Sequence, residues 1–149
     1  MAFSAPSLKG RALRLLSQRE HSRAELERKL KKYEEEPGTL AQALDELTAK
    51  DFISEARVVQ SVLHQRAARM GAARVRQELL HKGIAPEAVA DAVAGLQGSE
   101  FERALEVWKR RFGVPPQDAA ERAKQVRFLM ARGFAGGVVA KVLRSDPDE

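Results

Sequence analysis

Apolar residues along this chain recur every three or four positions, and no segment alternates apolar and polar long enough to mark a strand. Leu8, Ala12, Leu13, Leu15 and Leu16 form one stripe, Leu26, Leu30 and Tyr33 a second, and Leu40, Ala43, Leu44 and Leu47 a third. Each predicts a short amphipathic helix. The borders carry their own signals. Ser22 followed three residues later by Glu25 has the form of a capping box, and Pro37-Gly38-Thr39 reads as a turn leading to a Thr that caps the next helix.

Beyond the loop at Lys50, Asp51 and Phe52, a longer helix is predicted from Ser54 through Val58, Val59, Val62 and Leu63 towards Ala67, with an interruption at Gly71. A second helix carries Ala72, Val75, Leu79 and Leu80 on its apolar side. It stops at Lys82-Gly83, a cation in the last turn followed by the glycine that suits a helix end. A third starts near Pro86, a residue suited to a first turn, and holds Val89, Ala92, Val93 and Leu96. The same order then returns. Phe101, Ala104, Leu105, Trp108 and Phe112 mark a helix closed by Gly113, Ala119 to Arg132 mark another closed by Gly133, and Val138, Val139, Val142 and Leu143 mark the ninth.

The recurrence has a fixed period. Leu80-His81-Lys82-Gly83-Ile84 returns 50 residues later as Met130-Ala131-Arg132-Gly133-Phe134, and Leu30-Lys31-Lys32-Tyr33 holds the same offset 50 residues earlier. The expected architecture is all-α, nine helices in three tandem three-helix, helix-turn-helix-like repeats stacked into an elongated curved rod. The repeats are placed at residues 1–52 with a short flexible N-terminus, 53–97, and 98–149 with a short acidic tail.

Composition narrows the chemistry. The chain has no Cys, which removes thiolate metal sites, Cys nucleophiles and disulfides together. His21, His64 and His81 are far apart in sequence with no partner at helical spacing, so a zinc site is not expected, and the histidines read as ordinary surface or boundary residues. No phosphate loop or nucleophile elbow occurs, and Glu34, Glu35 and Glu36 read as a solvated charge run beside a turn. No catalytic residue, metal or cofactor is therefore expected. The opening Met1-Ala-Phe-Ser-Ala-Pro lacks the basic segment and apolar run of a secretory signal, and no run approaches the length of a membrane span. A cytoplasmic protein without membrane contact is expected.

The formal charge of +5 and sequence pI of about 9.8 point towards a polyanionic partner. Arginine outnumbers lysine about two to one, and guanidinium suits bidentate capture of phosphate or carboxylate. The densest cationic stretch holds Arg66, Arg69, Arg74, Arg76 and Lys82 against one acid, Glu78, which is spaced to brace Arg74 and Lys82 on its own helix. Lys109, Arg110 and Arg111 form a second cluster, and Arg122, Lys124, Arg127 and Arg132 a third. With Arg57, these are the candidate binding residues. Trp108 and Phe112 share a helical face with Leu105 and read as core rather than as a stacking platform, so nucleic-acid contact is expected mainly at phosphate.

The chain resembles the RecX family of bacterial recombination regulators from about Arg11 to Leu143. Ala12-Leu13-x-Leu15-Leu16 followed by His21-Ser22-Arg23-Ala24-Glu25-Leu26 is similar to the family's opening, with Tyr33 and an acidic run where a glycine is usual. Gly71-x-x-Arg74-Val75-x-x-Glu78-Leu79-x-x-Lys82-Gly83-Ile84 is the most specific match, preceded by Glu55-Ala56-Arg57 with Val58 where an aromatic is usual. Phe128-Leu129-x-x-Arg132-Gly133-Phe134 and Val138-Val139-x-x-Val142-Leu143 resemble the family's ending. The resemblance implies a monomeric, non-catalytic modulator, in net effect an inhibitor, that binds the RecA–DNA filament in its helical groove. The single- or double-stranded DNA would be met through phosphate. The other reading of the same residues is a direct DNA-binding module, in which Arg74 or Arg76 faces a groove.

Overall fold

The computed structural model describes residues 5–144, all of them helical or loop; the extreme N-terminus, residues 1–4, and the acidic tail, residues 145–149, lie outside the described residues. Among the described residues there are nine α-helices: α1 (Leu8–Gln18), α2 (Arg23–Leu30), α3 (Thr39–Ala49), α4 (Glu55–Arg66), α5 (Ala72–His81), α6 (Pro86–Gln97), α7 (Glu100–Arg111), α8 (Ala119–Ala131) and α9 (Gly136–Arg144). A single 3-10 turn, Lys31–Tyr33, extends α2. Among the described residues the chain falls into two compact units, residues 5–61 with 81–84, and residues 62–80 with 85–144.

In the first unit α1 packs on α2 and α3 around Ala12, Leu26, Leu30, Leu40, Leu44, Leu47 and Ile53. The capping box forms as the spacing predicts. Ser22 Oγ accepts from the Glu25 N–H at 3.1 Å, and Glu25 Oε1 accepts from the Ser22 N–H at 3.1 Å. The hydroxyl does more than cap, because it donates to the Lys82 carbonyl at 2.5 Å and ties the 81–84 turn to the start of α2. Gly83 sits in that turn with φ 77°, and a Cβ there would lie 2.6 Å from Ala24 Cβ. Arg28 adds a bond from its guanidinium to the His81 carbonyl at 3.0 Å.

Three details of this unit differ from the sequence reading. Thr39 does not cap α3: Gly38 holds the cap position with φ 88°, and the Thr39 hydroxyl turns back to the Glu36 carbonyl. The open N–H of Leu40 is met instead by the Glu34 carboxylate at 2.8 Å, so one member of the acidic run is structural. His21 is not a surface residue. It is 1% exposed, with Nδ1 3.0 Å from the Arg19 carbonyl and Nε2 3.0 Å from Lys29 Nζ.

In the second unit α7 packs on α8 and α9 around Ala104, Val107, Trp108, Leu129, Phe134, Val139, Val142 and Leu143. Trp108 is core, as its spacing predicts, and its indole N–H donates to buried Gln125 at 2.8 Å. Gln125 in turn donates to the Val114 carbonyl at 3.1 Å. The start of α5 is secured from a distance: Gly71 N–H donates to the Arg132 carbonyl at 2.8 Å, and Ala72 N–H to buried Glu100 Oε1 at 3.0 Å. Arg103 gathers the carbonyls of Ala67, Met70 and Leu96, which satisfies chain ends that α4 and α6 leave open. Desolvation lowers the Arg103 pKa, against a smaller opposing pull from Glu100.

Leu80 departs from its expected place. α5 buries Ala72, Val75 and Leu79, whereas Leu80 is 43% exposed, and Met130, at the equivalent position of the next repeat, is 47% exposed.

Candidate functional site

Four of the candidate cations converge in the second unit. α7 ends in Lys109, Arg110 and Arg111, where positive charge suits the negative end of the helix dipole. The loop before α5 supplies Arg69, and the end of α8 supplies Arg132. Arg69, Arg110, Arg111 and Arg132 line a cleft of about 310 Å³ together with Ala68, Glu106, Val107 and Phe128. Phe128 forms its aromatic wall: the Arg132 guanidinium lies 4.9 Å and that of Arg111 5.4 Å from the ring centroid, and Phe112 meets the ring edge-on at 5.4 Å. A guanidinium over an aromatic ring is held by cation–π attraction, and its N–H donors suit an anion. Glu106 is the one acid of the lining and pairs with Arg110 at 3.2 Å.

A second cleft in the same unit, of about 560 Å³, has Arg74, Arg76 and Gln77 beside the exposed side chains of Leu80 and Met130. Glu100 also borders it, but its Oε1 is engaged by the Ala72 N–H. Two cations against an uncovered apolar pair is the character of a protein-docking surface rather than of a small-molecule site.

The other candidates stand apart from these clefts. Arg57 is held by Glu20 at 2.9 Å, Asp51 at 3.0 Å and the Asp51 carbonyl at 2.6 Å, and its pKa is raised chiefly by the Glu20 hydrogen bond. Lys82, 16% exposed in its side chain, pairs with Glu25 at 3.2 Å. Burial by itself would raise the Glu25 carboxyl, but hydrogen bonds from Arg19 and the Ser22 N–H, with the charge of Lys82, bring it down to about 2. Arg66 takes Glu78 at 3.2 Å, so that acid braces a residue twelve positions back rather than Arg74 or Lys82. Arg122, Lys124 and Arg127 are exposed along α8, Lys109 is exposed on α7, and none of these four has an ion pair among the described residues.

Sequence reasoning missed a third cationic cleft, in the first unit: Arg11, Arg14, Lys29 and Lys32 line about 250 Å³ with Tyr33. The signal was the pair Arg11 and Arg14, one helical turn apart, facing the basic end of α2. No group of three or more His, Asp or Glu suited to a metal ion occurs among the described residues, and no described helix is long and apolar enough to cross a membrane.

Three domain families match the chain in order: RecX, first three-helix domain, over residues 9–47; RecX, second three-helix domain, over 54–93; and RecX, third three-helix domain, over 99–143. The regulatory protein RecX of Leptothrix cholodnii is 56% identical over 97% of this chain and 93% of its own length, and that of Ralstonia nicotianae is 50% identical over 93% and 87%. A crystal structure of RecX from Lactobacillus salivarius superposes with a TM-score of 0.71 at 20% identity, covering 92% of each chain. A second crystal structure of a regulatory protein RecX gives a TM-score of 0.72 at 21% identity, covering 93% of this chain and 72% of the other. At those identities the structures speak for the fold.

Proposed function

This chain belongs to the RecX family of regulatory proteins, and from that premise we propose that it is a non-catalytic modulator of the RecA recombinase, an inhibitor in net effect. It acts in the cytoplasm as a monomer, seated in the helical groove of the RecA–DNA filament. A binder of this kind shifts the filament only as far as it prefers one filament state over another, so its work is done by contacts rather than chemistry. The observation that carries the reading is the cleft in which Leu80 and Met130, equivalent residues of successive repeats, are both uncovered beside Arg74 and Arg76. Apolar anchors give a protein partner area to bury, and the two cations select an acidic rim. The arginines around Phe128 favour a second contact, to DNA phosphate.

The test is fluorescence anisotropy of the labelled protein with RecA assembled on single-stranded DNA and with the same DNA bare, over a range of salt concentrations. Tight binding that requires RecA supports the proposal. Equal binding to bare DNA, with nothing gained from RecA, would favour the direct DNA-binding reading in which Arg74 or Arg76 faces a groove.

A further inference from the structure

Tyr33 occupies the repeat position that Gly83 and Gly133 occupy in the later repeats. Those two glycines are required for a physical reason. Both have positive φ, and both press against an earlier helix, Gly83 on Ala24 and Gly133 on Arg74. Residue 33 has no positive φ. At position 33 the demand for glycine lapses, the chain runs on from α2 as a 3-10 turn, and a tyrosine 39% exposed stands where a bare backbone would otherwise be.

The surroundings of that tyrosine are charged in one sense. Arg11, Arg14, Lys29 and Lys32 share its cleft, and no acid lines it. The Arg11 guanidinium lies over the Tyr33 ring, 3.7 Å from the centroid, and Lys32 Nζ is 5.2 Å away. Elsewhere in the same unit cations are neutralised: Lys9 pairs with Glu46, Arg19 with Glu25, and Arg23 with Asp45. Arg11, Arg14 and Lys32 have no carboxylate partner among the described residues, and Lys29 meets a nitrogen of buried His21 instead. Like charges gathered one turn apart repel each other, and a bound anion would relieve that repulsion. A cleft of this volume, with several cations and one aromatic ring, fits a phosphate together with a base.

From this we infer that the Arg11–Arg14–Lys32–Tyr33 cleft is a binding site for one nucleotide unit of single-stranded DNA, with phosphate against the cations and the base against the tyrosine. The inference is independent of the RecA reading, since it uses other residues and its test contains no RecA.

Tyr33 is the only tyrosine of the chain, so 3-fluorotyrosine incorporated into the full-length protein gives a single fluorine resonance at the site. Titration with an eight-residue oligothymidylate is expected to shift that resonance saturably. The double variant Arg14→Ala/Lys32→Ala alters two exposed residues, and circular dichroism checks its fold; it should need at least tenfold more oligonucleotide. Lys50→Ala, an exposed cation of the same unit outside the cleft, should leave the shift unchanged. Inorganic phosphate at equal phosphate concentration should move the resonance by less than a tenth as much. The inference is overturned if the oligonucleotide leaves the resonance in place, if the folded Arg14→Ala/Lys32→Ala variant responds like the parent, or if inorganic phosphate reproduces the whole shift. Thymidine monophosphate matching the oligonucleotide at the same concentration would make the site one for free nucleotides and overturn its assignment to a strand.

Discussion

Gly71 and Gly133 meet backbone to backbone: the Gly71 N–H donates to the carbonyl of Arg132 at 2.8 Å, and a Cβ built on Gly71 would fall on the Gly133 carbonyl. Gly133 has φ 88° and lies against the backbone of Arg74, with 2.9 Å between a built Cβ and the Arg74 Cα. The 81–84 turn repeats the contact in the first unit, where Gly83 meets Ala24 and Ser22 reaches the Lys82 carbonyl. The 50-residue period therefore preserves a packing contact as well as a helix pattern.

Gly133→Ala should destabilise the protein by more than Gly38→Ala. Both glycines have φ 88°, so both substitutions carry the left-handed penalty of about 1 kcal/mol. Nothing lies within 4 Å of a Cβ at Gly38, whereas Gly133 meets Arg74, which adds about 1–3 kcal/mol of overpacking. Urea unfolding of the two variants checks the difference, and Gly71→Ala should fall with Gly133→Ala.

Stability should decline with acid in two stages. Burial lowers the His21 pKa below 6.5, and Glu25 is brought from 4.5 to about 2. In both cases the unfolded chain binds protons more readily than the folded one, so stability rises with pH. The His21 contribution is complete above about pH 6.5 and is lost as pH falls below it. The Glu25 contribution is complete above about pH 4.5 and disappears as pH approaches 2. Urea unfolding of the parent and of Glu25→Gln across this range should show the variant less stable at pH 7, with the gap closing below pH 4.

Gln125→Met keeps the volume of the side chain but removes its hydrogen bonds to Trp108, Val114 and Glu121. The Trp108 indole N–H and the Val114 carbonyl lose their partner, at a cost of about 1–3 kcal/mol. Trp108 is the single tryptophan, so its emission during urea unfolding reads that loss directly.

Much of the fold is written locally. The apolar stripes give all nine helices, Ser22 and Glu25 give a capping box, and Gly83 and Gly133 give left-handed helix ends, because each signal involves residues a few positions apart. What was not legible depends on distant partners. Nothing near Arg57 announces Glu20, and Glu78 looks equally suited to Arg74, Lys82 or Arg66 until α4 and α5 are placed. Leu80 belongs to an apolar run yet faces outward beside Met130, and His21 owes its burial to contacts with Arg19 and Lys29. Among the basic residues, composition could count charges but could not separate those neutralised within the fold from those left to a partner.

That separation carries the functional account, and one measurement tests it most directly: ATP hydrolysis by RecA on single-stranded DNA with increasing amounts of the parent protein or of folded Arg74→Glu/Arg76→Glu. Neither arginine has an ion pair among the described residues, so the reversal disturbs the cleft beside Leu80 and Met130 without breaking a salt bridge. The parent should suppress hydrolysis, and the variant should need at least tenfold more protein for the same suppression, equivalent to about 1.4 kcal/mol of lost binding. Hydrolysis unaffected by the parent, or suppressed equally by both proteins, would contradict the account.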